Sequence, residues 1–266
     1  MTSMKLQRAG FGILAAFAAM VLFASAAIAQ DEKSWSLDVG ADYSTRYMFR
    51  GVPLLGDNEV LVPHATFSVG NFNLYYYGYV GDIPADFTAS GNQVSYREDD
   101  FGADYTFALG EKFGLTLGAV SYMYSNRTTD EYGFIDTYEL YAIASFNVHL
   151  SPTVSYYRDM DAVEGGYGSI GISHSFPLGS KASFDFSAQV GFDFGYNLGS
   201  GVASDLGLQK SNGDLNDLLV GVDIPIQIND WFSVHGSVQQ SIALDVLDDL
   251  GVDDEFIVTG GVGFTF

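Results

Sequence analysis

Apolar and polar residues alternate with a period of two along most of this chain, beginning at Trp35 and ending at the C-terminal Phe266. The closing stretch EFIVTGGVGFTF places Phe256, Val258, Gly260, Val262, Phe264 and Phe266 on one face of a strand. Thr259, Gly261, Gly263 and Thr265 fall on the other face. Phe184 to Tyr196 alternates without an error over 13 positions: Phe184, Phe186, Ala188, Val190, Phe192, Phe194 and Tyr196 against Asp185, Ser187, Gln189, Gly191, Asp193 and Gly195. A soluble strand runs about five or six residues, whereas a tilted membrane-spanning strand needs roughly 9–11.

Cutting the chain at its turn signals predicts about twelve such segments: Trp35–Arg50, Val60–Val69, Phe72–Val80, Ser95–Leu109, Phe113–Tyr124, Phe134–Val148, Thr153–Arg158, Tyr167–Phe176, Phe184–Tyr196, Leu215–Ile228, Trp231–Leu244 and Glu255–Phe266. The connections alternate between short, such as Gly70-Asn71 and Asn229-Asp230, and long, such as Gly51–Glu59, Gly81–Val94, Ser125–Gly133, Asn197–Gly213 and Asp245–Asp254. An even count of strands with alternating connection lengths predicts an all-β, transmembrane antiparallel β-barrel with short periplasmic turns and longer extracellular loops. Phe72, Phe113, Phe146, Phe176, Phe184, Trp231 and Phe232 lie beside short turns, and Tyr47, Tyr79, Tyr96, Tyr124, Tyr167 and Tyr196 beside long loops. That division predicts two aromatic girdles. His174, on the presumed lipid face near a turn, is the one irregular position of the eighth segment.

The N-terminus adds a destination. Met1–Ala29 carries Lys5 and Arg8, an apolar run from Phe11 to Phe23, and Ala27-Ile28-Ala29. A cationic start, an apolar middle and a small-x-small ending predict a cleaved secretory signal peptide over 1–29, leaving 30–266 as the barrel. The alternative is a retained membrane helix. After Ala29 no apolar run approaches spanning length, so the mature chain is either soluble or crosses by strands.

Composition and charge sharpen the functional expectation. The chain contains no Cys, which fits export without disulfides. Its formal charge is −22, and loss of Lys5 and Arg8 with the leader deepens it to −24. Such an excess excludes a phosphate-binding nucleic-acid role. In the predicted phase the inward charged set is Asp38, Asp42, Arg46, Arg50, Glu98, Asp100, Asp104, Glu139, Asp185, Asp193 and Asp223. Lys or Arg facing lipid at mid-depth would cost about 2–4 kcal/mol each, which fixes that phase. The spacing of Asp38 and Asp42 before Arg46 and Arg50 predicts opposite charges within reach on one inner face. An open lumen so lined would favour cations over anions. The alternative is that these carboxylates pair with Arg46, Arg50 and Tyr hydroxyls to make a closed structural or adhesive barrel.

Enzymatic chemistry finds little support. His149-Leu150-Ser151 brings a base and a hydroxyl together, but Pro152 follows at once and the triplet reads as a turn. A surface lipase or protease barrel is therefore the remote reading, and no cofactor is expected. Four His without Cys give no zinc spacing. The acidic loop Asp245–Asp254 offers oxygen ligands of the kind Ca²⁺ or Mg²⁺ prefer, yet lacks the spacing of a calcium loop and reads as a solvated loop. Bridging through divalent ions to lipopolysaccharide is a further expectation.

The stretch Asp42-Tyr43-Ser44-Thr45-Arg46-Tyr47-Met48-Phe49-Arg50-Gly51 resembles the opening strand of the TorF-type porin family, whose pattern is S-x-Y-x-F-R-G. Ser44, Tyr47, Phe49, Arg50 and Gly51 carry the match, with two residues between Ser44 and Tyr47 where the family has one. The resemblance implies outer-membrane location and passive transport without naming a solute. It places Phe49, Arg50 and Gly51 at the rim, where the first strand meets its outer loop.

Overall fold

The computed structural model describes residues 35–88, 90–125 and 134–266. The expected signal peptide and most of the Ser125–Gly133 loop lie outside them. Among the described residues fourteen strands form: β1 (Trp35–Ser44), β2 (Met48–Phe49), β3 (Val52–Pro53), β4 (Val60–Val69), β5 (Phe72–Ile83), β6 (Val94–Ala108), β7 (Phe113–Tyr124), β8 (Thr137–Phe146), β9 (Thr153–Asp159), β10 (Gly166–Pro177), β11 (Ser183–Phe194), β12 (Asp214–Asn229), β13 (Phe232–Ala243) and β14 (Glu255–Thr265). All but β2 and β3 close into one barrel in which each strand pairs antiparallel with its chain neighbours. The circle shuts where β1 pairs with both β4 and β14. There Phe266 and Leu37 exchange two backbone hydrogen bonds of 2.9 and 3.1 Å, so the C-terminal Phe is itself part of the seam.

The period-two pattern explains the wall. Leu117, Leu140, Ile170, Val238 and Val258 are exposed on the outside, forming an apolar surface far larger than a soluble monomer tolerates. Phe72, Phe146, Phe176, Phe184 and Trp231 are exposed near the short turns. Phe113 packs on Phe146 at 5.2 Å and Trp231 stacks on Phe264 at 5.9 Å. The outer row of β6 also carries Arg97 and Asp99, which pair through two bonds of 2.7 and 2.9 Å while Tyr76 donates to Asp99 at 2.8 Å. A charge pair neutralised in this way is cheaper beside lipid than either ion alone.

On the inner wall glycine has a definite task. A Cβ on Gly102 would strike the Tyr75 ring, and one on Gly118 would strike that of Tyr141. The two tyrosines therefore lie flat across neighbouring strands, and their hydroxyls meet at 3.0 Å.

Three expectations need correction. The first strand stops at Ser44 instead of reaching Arg50, because the chain turns inward from Thr45. The long connections are not all irregular: α1 (Ser200–Leu206) and α2 (Asp245–Asp249) form within two of them. Leu198, Ala203 of α1 and Val246 of α2 pack together as a small apolar cap, so the acidic segment at 245–254 is partly held by buried Val246 and Leu247. Finally, the tyrosines beside the long loops do not form a lipid-facing girdle. Tyr47, Tyr96 and Tyr167 are buried, and they face the lumen.

Candidate functional site: an inward hairpin and an acidic wall

Those buried tyrosines surround the first long loop. Residues 45–59 fold back into the barrel, and β2 pairs with β3 across the two-residue turn Arg50-Gly51. Arg50 and Gly51 both have positive φ, 52° and 79°, which is the geometry of a hairpin turn matched to strand twist. Glycine accepts it freely; a non-glycine residue there costs on the order of 1–3 kcal/mol and persists only where its surroundings enforce it.

The surroundings of Arg50 do so. Its Nη2 donates to Glu139 Oε2 at 2.7 Å, and the two side chains are only 7% and 0% exposed. Tyr122 donates to the same carboxylate oxygen at 2.8 Å. The guanidinium lies 3.9 Å from the ring centre of Tyr196 and 5.0 Å from that of Tyr167. The Arg50 carbonyl accepts from Asn216 at 2.9 Å and Asn197 at 3.3 Å. Burial opposes the charge on Arg50, but Glu139 beside it more than compensates, and the guanidinium pKa lies above its ordinary value.

The remainder of the loop is held as firmly. Tyr47 donates to Glu98 at 2.8 Å and stacks on Tyr79 at 4.2 Å, while Tyr96 also donates to Glu98. Burial, and then the Glu98 charge, raise the Tyr47 phenol well above its ordinary pKa, so it stays a donor. Tyr47, Leu55, Val60, Ile83 and Tyr96 form an apolar cluster. Arg46 sits at the loop's outer edge, where it meets Asp57 at 2.8 Å and Glu255 at 2.9 Å.

Arg46 and Arg50 therefore do not share a wall face with Asp38 and Asp42. Phe49, Arg50 and Gly51 lie at the tip of the inward hairpin, not at the rim. Ser44 ends β1, donor contact coming from Thr259 at 2.9 Å.

The nine named carboxylates occupy inner rows of the wall, in unlike surroundings. Glu98 and Glu139 are occupied by the hairpin and its tyrosines. Asp193 accepts four backbone N–H groups, from Gly195, Tyr196, Asn197 and Leu198, and so caps the loop after β11. Asp104 accepts from Asn73 at 2.8 Å and from Tyr141 at 3.0 Å. Asp38 accepts from Thr265 at 2.6 Å. Asp42 and Asp223 are bridged by His235, whose two ring nitrogens lie 2.9 and 2.8 Å from them; a ring donating from both nitrogens carries a positive charge. His64 approaches Asp42 at 3.7 Å. Asp100, Asp185 and, despite its bonds through Oε2, Glu139 each keep one buried oxygen without a protein partner.

Sequence reasoning missed His64 and His235. It also missed Asp159, which accepts from Thr137 and from three backbone N–H groups of the following loop. The triplet His149-Leu150-Ser151 is a turn in which Leu150 and Ser151 have positive φ, and the His149 ring packs on His174 at 5.0 Å.

Between the hairpin and the wall lies a cavity of about 330 Å³, bordered by Phe49, Arg50, Tyr75, Asp100, Tyr157 and Gln189 among others. This places a solvent-sized space, with polar and aromatic groups around it, beside the tip of the inward hairpin.

No known family profile and no curated protein matches the chain in sequence. Solved structures share its fold. The KdgM porin is similar with a TM-score of 0.53 at 11% identity, over 87% of this chain and 99% of that one. The COG4313 outer membrane channel from Pseudomonas putida F1 gives 0.52 at 10% identity, over 88% and 96%. The NanC porin gives 0.51 at 10% identity, over 86% and 98%. The architecture is that of outer-membrane porins.

Proposed function

We propose that this outer-membrane-type barrel is a narrow channel for passive diffusion of small hydrophilic solutes, with a preference for cations. The observation that carries the proposal is the wall below the hairpin, where Asp38, Asp42, Asp104, Asp185 and Asp223 line one lumen. Even with His235 between Asp42 and Asp223, these five leave an acidic excess on a confined aqueous path, which concentrates cations and repels anions. Twelve strands enclose more room than the eight-stranded barrels that side chains fill, and the hairpin takes up much of the surplus at one level. The channel is consequently expected to be small. One structure similar in fold is described as the KdgM porin in complex with disordered oligogalacturonate; a polyanion of that kind is a poor match to the carboxylates here.

Residues 1–29 act as the export signal in this proposal, and the apolar outer wall faces outer-membrane lipid and lipopolysaccharide. The TorF-type likeness of Ser44, Tyr47, Phe49, Arg50 and Gly51 belongs to the same reading, with the motif now supplying the hairpin that narrows the pore.

A second reading is favoured by one observation. The Arg50–Glu139 pair is so thoroughly buried that the hairpin could seal the lumen, making a non-conducting structural or adhesive barrel. Purified protein in a planar bilayer under a KCl gradient separates the two. Small steps whose reversal potential has the sign of K⁺ selectivity support the channel. Absence of current from correctly folded protein, or anion selectivity, refutes it.

A further inference from the structure

From β11 round to β5 the inner wall carries an arc of ionisable side chains. Asp185 of β11 stands directly opposite Asp223 of β12 in the register. His235 of β13 has Nδ1 2.8 Å from Asp223 and Nε2 2.9 Å from Asp42 of β1. His64 of β4 has Nδ1 3.7 Å from the other Asp42 oxygen, and its ring stacks on Tyr77 of β5 at 5.6 Å. β14 runs between His235 and Asp42 and contributes Gly261, where a Cβ would strike both of them. Gly40, which pairs with His64 across β1 and β4, is under the same constraint, since a Cβ there would strike the His64 ring. Two wall positions thus give up their side chains so that the charged groups can meet. The arc also differs from the Arg50–Glu139 pair in its access to water. Exposure of the side chains is 22% for His64, 24% for Asp42, 30% for His235 and 34% for Asp223.

We propose that this arc is the ion-selecting element of the channel and that its two histidines make the selection follow pH. The inference rests on the channel reading and deepens it. Imidazole changes charge near its ordinary pKa of about 6.5. With both rings protonated the arc sets two positive charges against its three carboxylates; with both neutral the carboxylates stand alone. The hydrogen bonds change with the charge. An imidazolium donates from both nitrogens, so His235 can hold Asp42 and Asp223 together, whereas a neutral ring has one N–H and releases one of them to the lumen. The titratable groups that face the two rings are Asp223 from β12, Asp42 from β1 and Tyr77 from β5, with Asp185 of β11 behind Asp223. Asp38, two inner positions along β1 from Asp42, is engaged by Thr265. Acid therefore weakens the preference for cations and alkali strengthens it. At about 7 Å in salt water a unit charge changes the ratio of cation to anion about twofold, so the two rings together are worth about fourfold.

Reversal potentials in a planar bilayer under a KCl gradient test this, measured on either side of the imidazole range at about pH 5.5 and about pH 9. In the parent the permeability ratio of K⁺ to Cl⁻ should be about fourfold higher at the alkaline pH. Glutamine is neutral at both, so the double variant His64→Gln/His235→Gln should hold the alkaline ratio throughout. It retains His149 and His174, which separates their titration from that of the arc. His235→Gln alone should keep about half of the change on a logarithmic scale, about twofold, and serves if the double variant does not fold. Heat-dependent mobility in gels confirms the folding of each. A parent ratio that is unchanged or falls with rising pH, or a parent-sized change that survives in the variants, overturns this inference and leaves the channel reading standing. Correctly folded parent protein that passes no current at either pH overturns both.

Discussion

Replacing Glu139 by Gln perturbs the hairpin with almost no change in shape. In the native protein Arg50 donates to Glu139 at 2.7 Å, and neither group reaches bulk solvent. Glutamine can still accept from Tyr122 and offer a neutral acceptor to Arg50, so the loss is confined to the charge. Hydrogen bonds to charged groups contribute about 1.5–3 kcal/mol, and every 1.4 kcal/mol is about a factor of ten in an equilibrium. The hairpin's other moorings remain: two Asn side chains on the Arg50 carbonyl and the aromatic rings around the guanidinium. The strain of a left-handed Arg50 also remains, now opposed by less. The docked state should therefore weaken about ten- to a hundredfold against an undocked one in which Arg50 regains water. The twelve-strand hydrogen-bonded wall is untouched, so the barrel itself should stay folded. Single-channel recording reads the consequence: Glu139→Gln should show more frequent and larger conductance steps than the parent. Arg50→Ala should resemble it, and the double variant should add little, because both changes remove one interaction. Identical step size and gating in the parent and all three variants would refute the view that this pair holds the constriction.

Other consequences follow from the same geometry. His235→Ala removes the positive bridge between Asp42 and Asp223 and should move the reversal potential further towards K⁺, whereas an unchanged potential would remove these groups from the conduction path. Gly118→Val places side-chain atoms where the Tyr141 ring lies; overpacking of this kind costs about 1–3 kcal/mol, visible as a lower temperature of heat-induced gel-mobility change. Asp193→Ala strips four backbone N–H groups of their acceptor and should open the loop at 195–213 to limited proteolysis, with cleavage near α1 that the parent resists.

Much of the wall was legible because lipid and water impose opposite demands on alternate residues. Phe184 to Phe194 declares its register without help from any neighbour, and Gly70-Asn71 and Asn229-Asp230 mark short turns. What alternation does not encode is whether a loop folds outward or back into the lumen. Tyr47 and Phe49 continue the apolar rhythm of β1 past its real end, so the strand looked longer than it is. Their partners are distant in sequence: Glu98 for Tyr47 and Glu139 for Arg50. The Arg50-Gly51 pair was the local signal of a tight hairpin.

The tyrosine assignment failed for a different reason. Position beside a long loop outweighed parity, yet Tyr96 shares its strand face with Glu98 and Asp100, and Tyr167 shares its face with Ser169. Tyrosine fits either a lipid boundary or a polar interior, since one end of it is apolar and the other a donor; only the row it occupies distinguishes them. His235 escaped notice because its partners come from β1 and β12, which closure of the barrel brings to either side of it.

The central claim is that the inner rows face a wet passage while the outer rows face lipid. Single cysteines along β11, at Asp185, Ser187 and Gln189 in one set and Phe186, Ala188 and Val190 in the other, can be challenged with a membrane-impermeant thiol reagent in reconstituted bilayers. The inner set should react and the outer set should stay silent. Silence at both sets would mean a sealed barrel, and equal reaction at both would mean that lipid does not cover the wall.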